Sequence, residues 1–421
     1  MLRLAGFTGA PILSALAPFI ILPVISRIVG ADGWANFSAG QSIGILGMVG
    51  VLFGWGIVGP VRVARSTSVQ ERAVILHESI RSRALTSLVA IPAAGVATFL
   101  VSGPAFRLES VAVAVAMTVG GFTPAWFCIG QGNPRGLMLF DALPKLASSL
   151  VALPIVALTG QVLWYPALLL VFTVPAFVVH ARLTAHGDAL GDVRPRGLRK
   201  ILRTLVPTAA IDAAGNAYGS TAIPIATAGL SADDASAFAS ADRAYRIGTL
   251  AVVAVANAFQ SWVLEPRGHD VRRRHRAALL AHTALGVVGG LAIALLGPWA
   301  TALLFGADVA AQSLPSALFG VAFVCISIAT PLIRNLLIPA DRFRIVFAAT
   351  IAAATVGLVI MIIGSAAGSA AVVSLGVASS EFAALAVLAL PAALEYRRIG
   401  SHASTVIADS GPTREREPES D

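Results

Sequence analysis

Two runs of polar residues in the second half of the chain are spaced for one-sided chemistry. Thr208, Asp212, Asn216 and Ser220 recur at every fourth position, so on a helix they form one stripe. Asp242, Arg243, Arg246, Thr249, Asn257 and Gln260 follow in the next apolar segment, and Arg246 to Asn257 spans about three helical turns. Two arginines three apart offer planar forks that stay charged and bind phosphate bidentately. Asp212 and Asp242 together match both guanidiniums in charge. The same residues therefore also read as ion pairs, Asp212–Arg246 or Asp242–Arg246, that hold two helices together. Both readings stay open on sequence alone.

The surroundings of these residues set the stakes. The chain is 57% apolar and only 12% charged, against roughly 25% charged in soluble domains. Such a chain cannot cover a soluble core with polar surface, but lipid can cover a bundle of helices. Each arginine facing lipid at the bilayer centre costs about 2.5–3.5 kcal/mol on insertion scales. Arg243 and Arg246 must therefore face protein or a water-filled cavity.

A span needs about 20 mainly apolar residues. That criterion predicts helices over 4–28, 36–60, 83–103, 110–130, 137–159, 162–182, 201–226, 235–263, 277–297, 312–336, 343–366 and 370–394. Residues 298–311 read as an outer loop with a short interfacial helix. The apolar start runs past Ile28, too long for a cleaved leader, and is expected to be a retained first span. Asp212, Arg243 and Arg246 all fall about 12–16 Å from a predicted helix end, near mid-depth. Equal depth on sequential antiparallel helices predicts a contact between Asp212 and Arg246.

Charge orients the bundle. With the N-terminus inside, 26 of the 30 basic residues collect on the inner side, in clusters such as Arg62–Arg83, Arg182–Arg203 and Arg267–Arg276. Lys145 and Arg334 are counted with them. Arg27 and Arg107 face out, and Arg243 and Arg246 lie within a helix. Both termini are thus expected in the cytoplasm. The division follows: 1–182 as a six-helix bundle, 183–200 as a cytoplasmic linker, 201–402 as a second six-helix bundle and 403–421 as a disordered cytoplasmic tail. An internal echo supports two halves. Phe37-Ser38-Ala39-Gly40-Gln41 opens the second helix, and Phe238-Ala239-Ser240-Ala241-Asp242 opens the eighth. An even number of helices per half makes such repeats parallel.

Three segments carry a family resemblance. Pro23-Val24-Ile25-Ser26-Arg27-Ile28-Val29-Gly30 closes the first helix and Gly33-Trp34-Ala35-Asn36-Phe37-Ser38-Ala39-Gly40-Gln41-Ser42-Ile43-Gly44 opens the second. Gly54-Trp55-Gly56-Ile57-Val58-Gly59-Pro60 leads to Arg62-Val63-Ala64-Arg65. With Asp242-Arg243-Ala244-Tyr245-Arg246-Ile247-Gly248, they resemble bacterial polysaccharide biosynthesis proteins. Those are the O-antigen flippase-like proteins of the multidrug/oligosaccharidyl-lipid/polysaccharide exporter superfamily. The resemblance implies an all-α polytopic membrane protein of about twelve transmembrane helices, in two six-helix bundles around a central cavity. It implies alternating access in a bacterial cytoplasmic membrane, with a lipid-pyrophosphate-linked oligosaccharide as cargo. Polysaccharide polymerase and glycosyltransferases become candidate partners, and H+ or Na+ a candidate coupling ion. The cargo-binding set on this reading is Arg243, Arg246, Asp212, Asn216, Asp242, Asn257, Gln260 and Gln41.

Other features weigh toward structure. Gly40, Gly44, Gly47 and Gly54 give the second helix a small face for close packing. Pro11, Pro18 and Pro23 bend the first. Glu381 is a lone intramembrane acid, weighed as an ion carrier against a structural role. Cys128 and Cys325 sit apart in apolar runs and read as buried small hydrophobes. No catalytic, metal or cofactor site is expected, and no basic stripe interleaved with aromatics points to nucleic acid. The alternatives to a flippase are a cation-coupled multidrug exporter, a membrane glycosyltransferase or polymerase, and a non-transporting scaffold. A drug site would carry acids and aromatics, a transferase would need a large soluble loop, and a scaffold needs no charge at mid-depth.

Overall fold

The computed structural model describes residues 2–184, 195–265 and 271–409. All regular structure within them is helical. Helix α1 (Leu2–Leu52) holds two spans that turn at Gly30, where φ is 60° and ψ −164°, a conformation that only glycine adopts cheaply. Helix α2 (Trp55–Arg65) continues the second span. Helix α3 (Val69–Val101) is the third; α4 (Arg107–Val119) and α5 (Ala125–Gly130) make the fourth; α6 (Pro134–Leu137) and α7 (Leu143–Thr159) make the fifth; α8 (Trp164–Thr184) is the sixth. The second half comprises α9 (Leu198–Gly229), α10 (Ala232–Val263), α11 (Val271–Phe305), α12 (Ser313–Pro331), α13 (Phe343–Ala366) and α14 (Ala370–Asp409).

Nine segments of the described residues are long and apolar enough to cross a membrane. The first, Leu13–Arg65, is 53 residues long and contains two spans. Helices α9 and α10 fall outside that group because the polar stripes lower their hydropathy, although each is 32 residues long. The chain is thus a multi-pass membrane protein of about twelve helices. Its outer face carries the apolar side chains that lipid covers: Leu100 is 75% exposed, Leu158 87% and Leu295 75%.

Three boundaries differ from the sequence expectation. The third helix begins at Val69, not 83. The Ser68 hydroxyl accepts from the Glu71 N–H at 3.1 Å and the Glu71 carboxylate accepts from the Thr67 N–H at 2.8 Å, a reciprocal cap that starts a polar helix early. Helix α11 passes through Pro298 to Phe305 before a 3₁₀ turn, Ala307–Val309. Helix α14 runs on to Asp409, past the expected start of the tail at 403. Residues 410–421 and most of the 183–200 segment lie outside the described residues.

The two halves meet tightly on the side that bears Gly30. Phe37 and Phe238, the leading residues of the sequence echo, are both 0% exposed in one core. The Trp34 indole N–H donates to Ser240 Oγ at 2.9 Å, and Ser236 Oγ accepts from the Ala35 N–H at 3.0 Å. Arg27 donates to the carbonyls of Leu304 at 2.8 Å and Leu303 at 2.6 Å. On the opposite side, Arg196 of the connecting segment bonds buried Glu78, and Ile201 and Leu205 of α9 share a core with Trp55, Val63 and Trp126 of the first half. The bundle is therefore sealed on one side and joined at its edge on the other.

Several spans are irregular along their length. Pro124 follows a 3₁₀ turn, Gly120–Phe122, that divides the fourth span. A π turn, Met138–Ala142, precedes Pro144 in the fifth, and another, Leu332–Leu337, follows Pro331 in the tenth. Proline removes a backbone donor and releases carbonyls. In the first half, Arg83 of α3 donates to two of them, Gly121 O at 3.1 Å and Thr123 O at 3.0 Å. In the second half, His275 Nε2 of α11 lies 3.2 Å from Asn335 O. The third span of each half thus meets the broken fourth.

Candidate functional site

A cavity of about 470 Å³ lies between the halves. The first half contributes Ser14, Gln41, Asp141, Lys145 and Tyr165 to its polar wall, and the second contributes Arg243 and Arg246. Most of the remaining lining is apolar, for example Phe19, Leu22 and Met117. The seal between Trp34 and Ser240 closes the cavity off from the side bearing Gly30.

Each cation is held differently. Arg243 is only 5% exposed. Its Nη2 donates to Gln41 Oε1 at 2.7 Å and reaches Ser38 O at 3.4 Å. Arg246 ion-pairs with Asp242 one turn earlier and donates to the Gly219 carbonyl of α9. Its side chain stays 30% exposed, whereas that of Asp242 is 2% exposed. Opposite them, Lys145 Nζ lies 2.8 Å from Asp141 Oδ1 and donates to Ser14 Oγ at 2.9 Å. Ser14 in turn donates to Asp141 Oδ2 at 2.9 Å, and Thr123 donates to Oδ1. The π turn that carries Asp141 aims it at this cluster. Three cations thus face two carboxylates, and each carboxylate is engaged. The arrangement can hold an anion; it offers a cation no unpaired acid.

The structure brings together Arg243, Arg246, Asp242 and Gln41 from the expected set. It separates Asp212, Asn216, Asn257 and Gln260 from them. The expected Asp212–Arg246 contact is absent: Asp212 Oδ1 accepts from Asn216 at 3.0 Å, and the carboxylate faces Gly56 of α2. Helical side chains lean toward their own N-terminus. Helices α9 and α10 are antiparallel, so side chains at matched depth lean apart. Arg246 leans toward Gly219 while Asp212 leans toward the far side. Asn257 and Gln260 do share the Arg246 face of α10, but they accept from Arg334 Nη2 at 2.9 and 2.8 Å.

Sequence reasoning assigned Lys145 and Arg334 to the inner connections and so missed them. The signal was present for Lys145. An acid and a lysine four apart, inside an apolar run and flanking Pro144, mark a buried pair. Glu381 accepts from the Tyr245 hydroxyl at 3.1 Å in the second half. Among the described residues, no group of three His, Cys, Asp or Glu side chains could hold a metal.

No protein-family model matches the chain, and no curated protein matches it significantly. Solved structures do. The inward-facing conformation of a multidrug resistance MATE family transporter of the MOP superfamily aligns with a TM-score of 0.56 at 14% identity, over 91% of this chain and 95% of that one. A MOP superfamily transporter from Pyrococcus furiosus, described as having a binding pocket of reverse polarity that suggests a different function, aligns with a TM-score of 0.51 at 15% identity over 94% of each. A MATE transporter in complex with MaL6 aligns with a TM-score of 0.50 at 14% identity, over 95% of this chain and all of that one. The chain has the fold of the MATE transporters of the MOP superfamily.

Proposed function

We propose that this protein is an alternating-access flippase for an anionic amphiphile, a lipid-(pyro)phosphate-linked oligosaccharide carried across the bacterial cytoplasmic membrane for cell-surface polysaccharide biosynthesis. The observation that carries the reading is the cavity wall of Lys145, Arg243 and Arg246. Arginine forks suit a diphosphate, and a site of low dielectric strengthens the attraction. The volume of about 470 Å³ accommodates a diphosphate with its first sugar; the lipid tail would stay in the bilayer. Glycosyltransferases would supply the cargo and a polymerase would consume it. Glu381, held by Tyr245, is where a coupling H+ or Na+ would act. The division at 183–200, with that segment and both termini cytoplasmic, belongs to the same proposal.

A second reading, a cation-coupled multidrug exporter, has the structural likeness on its side, since the best-aligned of the three neighbours described above is a multidrug resistance transporter. The engaged carboxylates of Asp141 and Asp242 speak against a cationic drug site. Proteoliposomes decide between the two. The flippase reading expects transbilayer movement of a fluorescent polyprenyl-diphosphate sugar, lost in Arg243→Ala and Arg246→Ala at equal protein incorporation. Ethidium transport that both substitutions leave intact would favour the exporter.

A further inference from the structure

We propose that Arg334 is a second anion site, set apart from the central arginines along the cargo path, for the phosphate or diphosphate head of an amphiphile. The proposal rests on the reading of the cavity as a path for anionic cargo.

Arg334 lies in the π turn Leu332–Leu337 that follows Pro331. Its Nη2 makes both of its hydrogen bonds, to Asn257 Oδ1 at 2.9 Å and Gln260 Oε1 at 2.8 Å. Among the described residues no carboxylate pairs with it. That sets it apart from Arg246 and Lys145, each of which has an acid one turn away. Amide oxygens orient a guanidinium without cancelling its charge. The Nε and Nη1 donors remain for a ligand. A helix tie alone explains the two hydrogen bonds; it leaves unused the remaining donors of a half-buried cation that has no acid beside it.

The placement continues the cavity. Eleven residues from Arg246 to Asn257 rise about 16 Å and return to within about 20° of the same face of α10. Val253, between them on that face, is 45% exposed. The open face of α10 therefore runs from the cavity wall to the Arg334 guanidinium, away from the sealed side. An anionic head entering from the unsealed side meets Arg334 first and the Arg243–Arg246 pair second.

The test uses the full chain in nanodiscs and calorimetric titration with farnesyl diphosphate and, separately, inorganic pyrophosphate. Arg334→Gln should weaken farnesyl diphosphate binding about tenfold, the loss of one charge-assisted contact. Asn257→Asp is the sharper variant. It keeps the tie to Arg334, so the fold survives, but it neutralises the guanidinium, and the same tenfold loss is expected. Unchanged binding in Asn257→Asp overturns the proposal, because a purely structural arginine would gain from that carboxylate. A loss with both ligands assigns the site to the phosphate head alone; a loss with the farnesyl ligand only assigns it to a lipid-borne head. The Arg243→Ala/Arg246→Ala variant separates the two ideas. If it binds normally while Asn257→Asp does not, the central reading falls and the Arg334 site stands. If the wild-type protein binds neither ligand, both fall.

Discussion

The guanidinium of Arg243 donates to the side-chain carbonyl of Gln41 at 2.7 Å, a bond from the eighth span to the second across the two halves. Gln41 and Asp242 occupy matching places in the sequence echo, so the repeat positions the contact. Arg243 gains a fixed direction from Gln41 but loses no charge to it.

Gln41→Glu should therefore separate orientation from charge. The carboxylate keeps the contact and cancels the cation. Binding of farnesyl diphosphate should fall about tenfold, with the melting temperature held or raised. Gln41→Leu should instead lower stability by about 1–3 kcal/mol, since a buried donor loses its acceptor. Equal affinity in Gln41→Glu and wild type would remove Arg243 from the binding wall.

Lys145 and Asp141 should behave as a unit. Asp141 is 6% exposed, so Lys145→Met leaves a carboxylate with only Ser14 and Thr123 for support. A cost of about 3 kcal/mol follows, at the low end for buried pairs because the lysine side chain is 25% exposed. Lys145→Met with Asp141→Leu should recover most of that loss, because the uncompensated charge is gone. A double-mutant cycle in chemical denaturation reads the coupling. A coupling below about 0.5 kcal/mol would show that the two groups are solvated independently.

Arg83 is 0% exposed, with its guanidinium 5.2 Å from the Phe177 ring centroid and 5.6 Å from that of Phe122. It supplies donors to the carbonyls at the break in the fourth span. Arg83→Met should destabilise the protein by about 2–4 kcal/mol, because the buried Gly121 carbonyl and the part-buried Thr123 carbonyl lose their donor. Hydrogen exchange should rise first in 119–128. Uniform exchange along α4 and α5 would falsify that role.

About twelve spans were legible because most are apolar runs of membrane length and α9 and α10, though striped with polar residues, keep that length; the turn at Gly30 was legible because glycine closes the first of them. The cavity was legible in part. Arg243 and Arg246 stand out as charges that lipid forbids, and the echoed residues Phe37 and Phe238 lie in one buried core. What stayed hidden depends on direction and on tertiary partners. Depth alone predicted Asp212 beside Arg246, yet antiparallel helices tilt those side chains apart. Asn257 and Gln260 have the right face, but their acceptors are taken by Arg334, which lies 77 and 74 residues further along the chain. The π turns at Met138–Ala142 and Leu332–Leu337 leave only a nearby proline as a trace.

Orientation is open to direct test. The distribution of basic residues predicts that the 183–200 segment and the C-terminal end lie in the cytoplasm. Ala189→Cys and Ser404→Cys in this chain, with Cys128 and Cys325 replaced, should resist a membrane-impermeant maleimide in intact cells and react after permeabilisation. Labelling of either in intact cells would invert the bundle.

The last prediction concerns the sealed side. Trp34 is 0% exposed, its indole donates to Ser240, and its ring lies 5.3 Å from that of Phe305. Trp34 comes from the first half, and both partners from the second. If the halves alternate, these contacts exist only while this side is closed, so Trp34 weights the equilibrium between the two states. Truncating a buried tryptophan costs about 3–5 kcal/mol. A bias of 3 kcal/mol is more than a hundredfold in population, enough to invert a two-state mixture. Trp34→Ala should therefore open this side. Spin labels at Asp32→Cys and Ala232→Cys, both exposed and on opposite halves, would report a longer distance in Trp34→Ala than in the parent. Ser240→Ala, which removes one hydrogen bond, should give a smaller shift in the same direction. A distance unchanged in Trp34→Ala, with a lower melting temperature, would mean that the tryptophan stabilises both states alike. The seal would then be a permanent joint of the two halves and not a gate.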